Sequence, residues 1–286
     1  MKFEEIIHKI KNLEIQGAEN VTMMAVQAFG LKLTETQDAS QLEIYADKLR
    51  ASRPTEPALR NALNFCLQNY TTLDVIQHVI DHFETSKEKI ADFGAKKIEN
   101  GMCVFTHCHS STVVAILKKA FHDGKKFTVA NTETRPLFQG RKTAKSLADE
   151  GIPVEHFIDS AGRLALKKAD LFLFGCDAMT SEGKIINKIG TAPLLFFANK
   201  YSVPSYSCTN SWKFDPETLY GEEETIEERS ASEVWENAPE NVIIRNPAFE
   251  PVSPDDMTGI ITELGVMKPE ALIMEIKNTY PWLMRK

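Results

Sequence analysis

The sequence lacks the features of a membrane or secreted protein. Nowhere do about 18 apolar residues follow one another, the length that a membrane-spanning helix needs. The N-terminal stretch MKFEEIIHKIKNLEIQG alternates charged and apolar residues and contains no signal-peptide pattern. The cysteines number five, an odd set, and include no CxxC pair, so no disulfide framework is indicated. We therefore expect a cytoplasmic protein with no membrane partner.

An excess of positive charge is also missing. Lysine and arginine together number 33 against 40 acidic residues, which gives a formal net charge of -7. Nucleic-acid binding needs a basic face, so we expect no nucleic-acid partner and a small anionic ligand that is held locally. The 286 residues, 43% hydrophobic and 26% charged, suffice for one large globular domain or two smaller ones.

Motifs for several common cofactors and reactions do not occur. There is no GxGxxG, no GxxxxGKS or GxxxxGKT, and no GxSxG, which excludes a conventional dinucleotide site, P-loop or serine-hydrolase elbow. His107, Cys108 and His109 are residue types that bind zinc, but neither a CxxC nor an HExxH motif accompanies them. We expect no metal and no cofactor.

Two periodicities divide the chain near Gly101. Apolar residues recur three and four positions apart from Lys2 to about Asn100, which predicts helices, the last over Ser86–Asn100 with Gly101 as C-cap. Beyond Gly101, short β-rich runs alternate with helical stretches, which predicts an α/β fold with a mainly parallel sheet. The predicted strands are Met102–Phe105, Lys126–Ala130, Val154–Ile158, Leu171–Phe174, Val203–Ser207 and Val242–Arg245. The predicted helices are Thr112–His122, Arg141–Glu150, Ala161–Lys168, Ala192–Lys200 and Pro269–Lys277, and Asp215–Pro239 is predicted to be a surface excursion or a lid.

Polar residues follow the first four predicted strands, where the ligand crevice of an open parallel sheet lies. They occupy positions 106–111, 131–135, 159–160 and 175–177, and we expect them to share one cleft. The anion-binding candidates are the N–H groups at 110–112, the loop at Gly17 and Ala18, and the cations Arg53, Arg135, Lys188 and Lys213. Each cation taken alone also fits a solvated surface position.

Cys108 and Asp177 are the candidates for chemistry. Cys108 precedes the helix predicted to begin near Ser111, where the helix dipole and an imidazolium at His107 or His109 would lower the thiol pKa below ~8.5. The alternative is a buried, inert cysteine. Asp177 is interpreted as a carboxyl whose pKa is raised by partial burial, or else as a helix N-cap or turn residue.

Several strings in one order resemble a known family. They are Thr106-His107-Cys108-His109-Ser110, Thr132-Glu133-Thr134-Arg135-Pro136, Gly175-Cys176-Asp177 and Ile185-Ile186-Asn187-Lys188-Ile189-Gly190-Thr191, flanked by Ile15-Gln16-Gly17-Ala18 and Ile260-Ile261-Thr262-Glu263. The chain resembles the initiation-factor-2B-like superfamily over nearly its whole length. Within this superfamily it is most similar to archaeal-type ribose-1,5-bisphosphate isomerases and more distantly similar to methylthioribose-1-phosphate isomerase.

The resemblance implies an N-terminal helical domain over residues 1–100, a Rossmann-like domain over residues 101–286, and a homo-oligomer. It implies an aldose-ketose isomerase of a furanose sugar 1-phosphate, with ribose 1,5-bisphosphate as the first substrate to consider. Cys108 and Asp177 match the catalytic positions. The ligand-contacting positions are matched by Gly17, Ala18, Arg53, Ser110, Asn187, Lys188 and Lys213, and Gln16, Ser111 and Thr112 complete the predicted binding set. We hypothesise that Asp177 protonates the ring oxygen, while Cys108 takes the C2 proton and returns a proton to C1.

Three departures from the family pattern leave alternatives open. Gln16, Glu19 and Ser111 stand where those isomerases carry arginine, glycine and lysine. Losing two cations and gaining an anion near the presumed phosphates would weaken binding of a bisphosphate. One alternative is an isomerase of the methylthioribose-1-phosphate type. The other is a non-catalytic regulatory subunit like those of initiation factor 2B, which share the fold but lack the cysteine and aspartate.

Overall fold

The computed structural model describes residues 1–15 and 17–284, and five helices form the first third of this described chain. They are α1 (Phe3–Lys11), α2 (Ala18–Glu35), α3 (Ala39–Arg50), α4 (Pro57–Gln68) and α5 (Val75–Ala95). Local signals set their starts: the Asp38 carboxylate accepts the N–H of Gln41 as an N-cap, and Pro57 is the first residue of α4. The predicted helical character of this segment is confirmed.

Ten strands and five further helices occupy the rest of the described residues. The strands are β1 (Cys103–Thr106), β2 (Thr128–Thr132), β3 (Val154–Phe157), β4 (Leu171–Phe174), β5 (Ala178–Met179), β6 (Ile185–Lys188), β7 (Ser205–Cys208), β8 (Phe249–Val252), β9 (Gly259–Thr262) and β10 (Gly265–Met267). The helices are α6 (Ser111–His122), α7 (Gln139–Ala148), α8 (Gly162–Leu166), α9 (Thr191–Lys200) and α10 (Pro269–Thr279).

The main sheet has seven strands among the described residues, in the order β10-β9-β7-β4-β1-β2-β3. All neighbours in it run parallel except β9 and β10, so the expected α/β class with a mainly parallel sheet is confirmed. The chain proceeds from β1 outward to β2 and β3, and then returns to the other side of β1 as β4. The strand order therefore reverses between β1 and β4, which makes this position the topological switch point.

The two central strands divide their side chains between two apolar cores. On β1 and β4, Phe105 and Phe172 belong to one buried cluster, whereas Val104 and Leu173 belong to the other. This alternation is the two-residue period of a strand that is covered on both faces. The first cluster continues into the N-terminal helices through residues such as Phe29. Burying each such phenylalanine contributes about 1.5–3 kcal/mol.

The structure corrects the predicted elements in three places. No strand forms at Val242–Arg245, because this apolar run lies on the surface and Ile243 is 88% exposed. The last N-terminal helix ends at Ala95, so Gly101, although its φ is +86°, lies in the turn before β1 and is not a helix C-cap. The strands β5, β6, β8, β9 and β10 were not predicted from the sequence.

The segment from Asp215 to Pro239 contains no α-helix and no strand, in agreement with a surface excursion. Its start is attached to α4, where Arg60 Nη2 lies 3.0 Å from the Asp215 carboxylate. Farther along, Arg53 Nη2 donates to the Glu227 carboxylate at 2.9 Å. These contacts hold the excursion beside the N-terminal helices. No helix among the described residues is long and apolar enough to cross a membrane.

Candidate active site

A cleft of about 430 Å³ opens beside the carboxyl ends of β1 and β4, at the switch point of the sheet. Every predicted site residue within the described chain except Arg135 lines it. These residues are Gly17, Ala18, Arg53, Cys108, Ser110, Ser111, Thr112, Asp177, Asn187, Lys188 and Lys213. The predicted Gln16 lies outside the described residues. Arg135, a further candidate, is exposed and is not among the lining residues.

Cys108 is held in a left-handed backbone conformation two residues after β1. Its φ is +67°, and Thr134, whose φ is +62°, accepts the Cys108 N–H on its hydroxyl oxygen at 3.0 Å. The Thr143 hydroxyl donates to the Cys108 carbonyl oxygen at 2.8 Å. A left-handed conformation at a residue other than glycine costs about 1–3 kcal/mol, so the surrounding hydrogen bonds determine where this thiol lies.

The Cys108 thiol is protonated near neutral pH, and the predicted lowering of its pKa is wrong. Burial raises this pKa to about 11, although the nearby Lys188 ammonium and the His109 N–H favour the thiolate. Helix α6 begins at Ser111, as predicted, with Ser110 as its N-cap, but the dipole at its N-terminus does not offset the loss of solvation.

Neither neighbouring histidine supplies the expected positive charge. Burial lowers the pKa of His107, and it lowers the pKa of His109 to about 4, so both rings are neutral. The His107 Nε2–H donates to the Ile189 carbonyl oxygen at 3.0 Å, which leaves Nδ1 to accept from the Thr132 hydroxyl at 2.6 Å. The two rings therefore serve to order the loop around Cys108.

Asp177 lies three residues after β4, and its N–H donates to the Ile186 carbonyl oxygen on β6 at 2.8 Å. Burial raises the pKa of its carboxyl, although the positive charges of Lys213, Lys188 and Arg53 act in the opposite direction. The expected rise is confirmed. No helix begins at this position, so the N-cap interpretation does not apply. Asp177 is a carboxyl suited to donate a proton in the cleft.

Two helix N-termini open into the cleft and offer N–H groups to an anion. They belong to α2, whose N-cap is Gly17, and α6, whose N-cap is Ser110. The Ser110 hydroxyl oxygen accepts the N–H of Val113 at 3.3 Å. A Cβ atom at Gly175 would lie 3.0 Å from the Ser110 Cβ, so glycine at this position lets the end of β4 approach α6.

Three of the predicted cations add positive charge to the walls of the cleft. Lys188 Nζ lies 4.5 Å from the centre of the Phe249 ring, and Lys213 Nζ donates to the Cys176 carbonyl oxygen. Arg53 lies between two carboxylates, with Glu227 at 2.9 Å and Glu56 at 3.7 Å. Alongside them, the Asn187 amide donates to the Thr191 hydroxyl oxygen at 2.9 Å. This arrangement is suited to a small phosphorylated ligand.

Several lining residues were missed by sequence reasoning: Glu56, Lys87, Gln139, Lys142, Glu227 and Arg229. Glu56 stands three residues after the candidate Arg53, so proximity to a candidate was a usable signal. Glu227 and Arg229 come from the excursion, where no motif marks them. No group of three or more histidine, cysteine or acidic side chains within residues 1–15 and 17–284 is arranged to hold a metal ion.

Comparison with known proteins identifies the family. The model of the Initiation factor 2 subunit family matches residues 11–269. The chain belongs to this family. A ribose 1,5-bisphosphate isomerase of Pyrococcus furiosus is 35% identical over 97% of this chain and 94% of its own length. A methylthioribose-1-phosphate isomerase of Pelotomaculum thermopropionicum is 33% identical over 94% of this chain and 83% of its own length. The crystal structure of the Pyrococcus horikoshii OT3 translation initiation factor eIF-2B superposes with a TM-score of 0.84 and is 29% identical. The superposition covers 95% of this chain and 98% of that one.

In this member of the Initiation factor 2 subunit family, a carboxylate lies between the N-termini of α2 and α6. The Glu19 carboxylate, in the first turn of α2, accepts from the Ser111 hydroxyl in the first turn of α6 at 2.9 Å. It also pairs with Lys87 Nζ at 3.1 Å. Glu19 therefore occupies the Ser111 hydroxyl and the Lys87 ammonium, which an anionic ligand would otherwise bind.

Proposed function

We propose that the chain is an aldose-ketose isomerase of a furanose sugar 1-phosphate. Ribose 1,5-bisphosphate, with ribulose 1,5-bisphosphate as product, is the first substrate to test. The proposal rests on one observation: Cys108 and Asp177 both line a single cleft at the switch point, and this cleft also contains cations and two helix N-termini. The isomerases among its relatives support this reaction class.

In the proposed reaction, the neutral Asp177 carboxyl protonates the ring oxygen, so that the bond from this oxygen to C1 breaks. The Cys108 thiolate then takes the proton from C2, which leaves an enediol phosphate, and the resulting thiol returns a proton to C1. The raised pKa of Asp177 favours the protonated acid. Cys108 must first release its own proton to water, and Lys188 is the cation that favours its thiolate.

The direct test is to incubate the pure protein with ribose 1,5-bisphosphate, ribose 1-phosphate and methylthioribose 1-phosphate and to follow ketose formation. Turnover of at least one sugar is expected, and the ranking assigns the substrate. Failure with all three, together with binding to a translation-factor subunit, would favour the regulatory alternative.

The Glu19→Gln substitution is expected to lower the KM for ribose 1,5-bisphosphate about tenfold, because a charged contact is worth about 1.5–3 kcal/mol. The reason is that the Glu19 carboxylate repels a second phosphate, forms a salt bridge with Lys87 and accepts a hydrogen bond from Ser111. The KM for ribose 1-phosphate should change much less. Steady-state kinetics with both sugars measures the difference, and Glu35→Gln, at the other end of α2, is the control. Equal changes for both sugars would contradict this role of Glu19.

We propose further that the chain forms a homo-oligomer in the cytoplasm, with domains at residues 1–100 and 101–286. The family resemblance supports self-association, and side chains such as Trp235 and Ile243 expose apolar surface on and just beyond the excursion. Light scattering should give a mass that is a multiple of the 32.2 kDa chain. A mass equal to one chain at micromolar concentration would contradict self-association.

A further inference from the structure

The proton balance of the proposed reaction leaves one proton without an acceptor. Asp177 gives a proton to the ring oxygen, and Cys108 moves a proton from C2 to C1. When the carbonyl forms at C2, the hydroxyl on C2 must also lose its proton. Asp177 is a carboxylate at that point, but it lies against the oxygen that it has just protonated. A second base in the cleft would complete the reaction.

Glu56 is a buried carboxyl in the cleft wall that the reaction so far does not use. The residue is only 4% exposed, and it lines the same cleft as Asp177. Its Oε2 atom has no hydrogen-bond partner in the described chain, while Oε1 lies 3.7 Å from Arg53 Nε. Although Glu56 precedes α4, its carboxylate does not cap that helix.

Leaving a buried carboxyl oxygen without a partner is unfavourable, and a hydrogen-bond donor on the ligand would offset this cost. A phosphate cannot supply this donor, because two anions repel each other. A sugar hydroxyl can. The cleft therefore offers a hydroxyl-binding oxygen in the electrostatic field of the residue proposed to protonate the ring.

The surroundings of Glu56 suit it to exchange a proton near neutral pH. Burial and the negative charge of Asp177 raise its pKa to about 7, Glu227 acts in the same direction, and Arg53 and Lys213 oppose this rise. A base with such a pKa can both accept a proton and release it again.

We propose that Glu56 binds the C2 hydroxyl of the sugar and accepts its proton as the ketone forms. This inference rests on the proposed function. The O–H bond at C2 breaks as the C2 carbonyl forms, and the electron pair of the C1–C2 double bond takes the proton of the Cys108 thiol. Glu56 ends as the neutral acid and Asp177 as the carboxylate. Transfer of one proton from Glu56 to Asp177 then resets the site, so the two carboxyls share one proton throughout.

The test compares Glu56→Gln with Glu227→Gln in steady-state kinetics. Glutamine at 56 still accepts a hydroxyl hydrogen bond but cannot take the proton, so kcat should fall ~10²-fold or more with KM nearly unchanged. Glu227 is the other carboxylate on Arg53, at 2.9 Å, so Glu227→Gln should change KM more than kcat. The wild-type kcat profile should bend near pH 7 where Glu56 titrates, and this bend should be absent in Glu56→Gln, which keeps only the rise that comes from the Cys108 thiol.

A second variant separates proton transfer from structural support. Formate should restore part of the turnover of Glu56→Ala, because it supplies a carboxylate in the vacated space, and thermal unfolding checks that the variant is folded. A wild-type kcat in Glu56→Gln, or a folded Glu56→Ala without rescue, would overturn this inference alone. A wild-type protein that isomerises no sugar 1-phosphate would overturn the proposed function and this inference with it.

Discussion

Replacing Cys108 by serine is expected to lower kcat for the sugar phosphate by ~10²–10⁴-fold, the usual contribution of one general acid-base group. A hydroxyl at this position is a far weaker acid than a thiol, so its conjugate base is not available to take the C2 proton. Ketose formation under saturating substrate measures the loss. KM should change little, because the phosphate contacts come from other side chains.

The matched control for this prediction is Cys103→Ser. Cys103 is a half-buried cysteine on β1 that does not line the cleft, so its substitution should leave kcat nearly unchanged. Wild-type turnover in Cys108→Ser would refute the assignment of Cys108 as the base at carbon.

The pH dependence of the wild-type enzyme follows from the same thiol. Because burial raises the Cys108 pKa to about 11, the thiolate fraction grows as the pH rises through the neutral range. We therefore expect kcat/KM to rise with pH until Asp177 loses the proton that it must donate. Cys108→Ser should show no such thiol-dependent rise.

Replacing Asp177 by asparagine is expected to reduce kcat by a similar ~10²–10⁴-fold. An amide has nearly the same shape as the neutral carboxyl but no proton acidic enough to give to the ring oxygen. Replacing a neutral carboxyl by a neutral amide should not weaken phosphate binding, so substrate affinity, measured by calorimetry, should be retained. Full activity in this variant would exclude Asp177 as the proton donor.

Stability provides the control for Asp177→Asn. The pKa of this carboxyl is raised in the folded protein, so the folded state binds the proton more tightly than the unfolded state. Its contribution to the free energy of unfolding therefore falls as pH rises above the unfolded-state pKa. The Asp177→Asn variant should be at least as stable as the wild type at pH 8, and a large loss of stability there would mean that reduced activity reflects misfolding.

Local sequence patterns determined much of the architecture. The helical period before Gly101, and short apolar runs such as Leu171–Phe174, are properties of neighbouring residues, and the structure reproduces them. The positions directly after strands also identified candidate residues, because parallel strands end at the same edge of a sheet. The run at Val242 and Ile243 has strand-like composition, but it has no neighbouring strand to pair with, and composition alone does not reveal this.

The fold class, the family and many of the residues that line the cleft therefore follow from the sequence alone, because each depends on local periodicity or on short strings in a set order. The electrostatic state of the site residues depends on the tertiary structure. The thiol of Cys108 stands before a helix, yet burial raises its pKa, because desolvation depends on everything packed around it. In the same way, Glu56, Glu19 and the excursion residue Glu227 join the cleft only through contacts between segments distant in the chain.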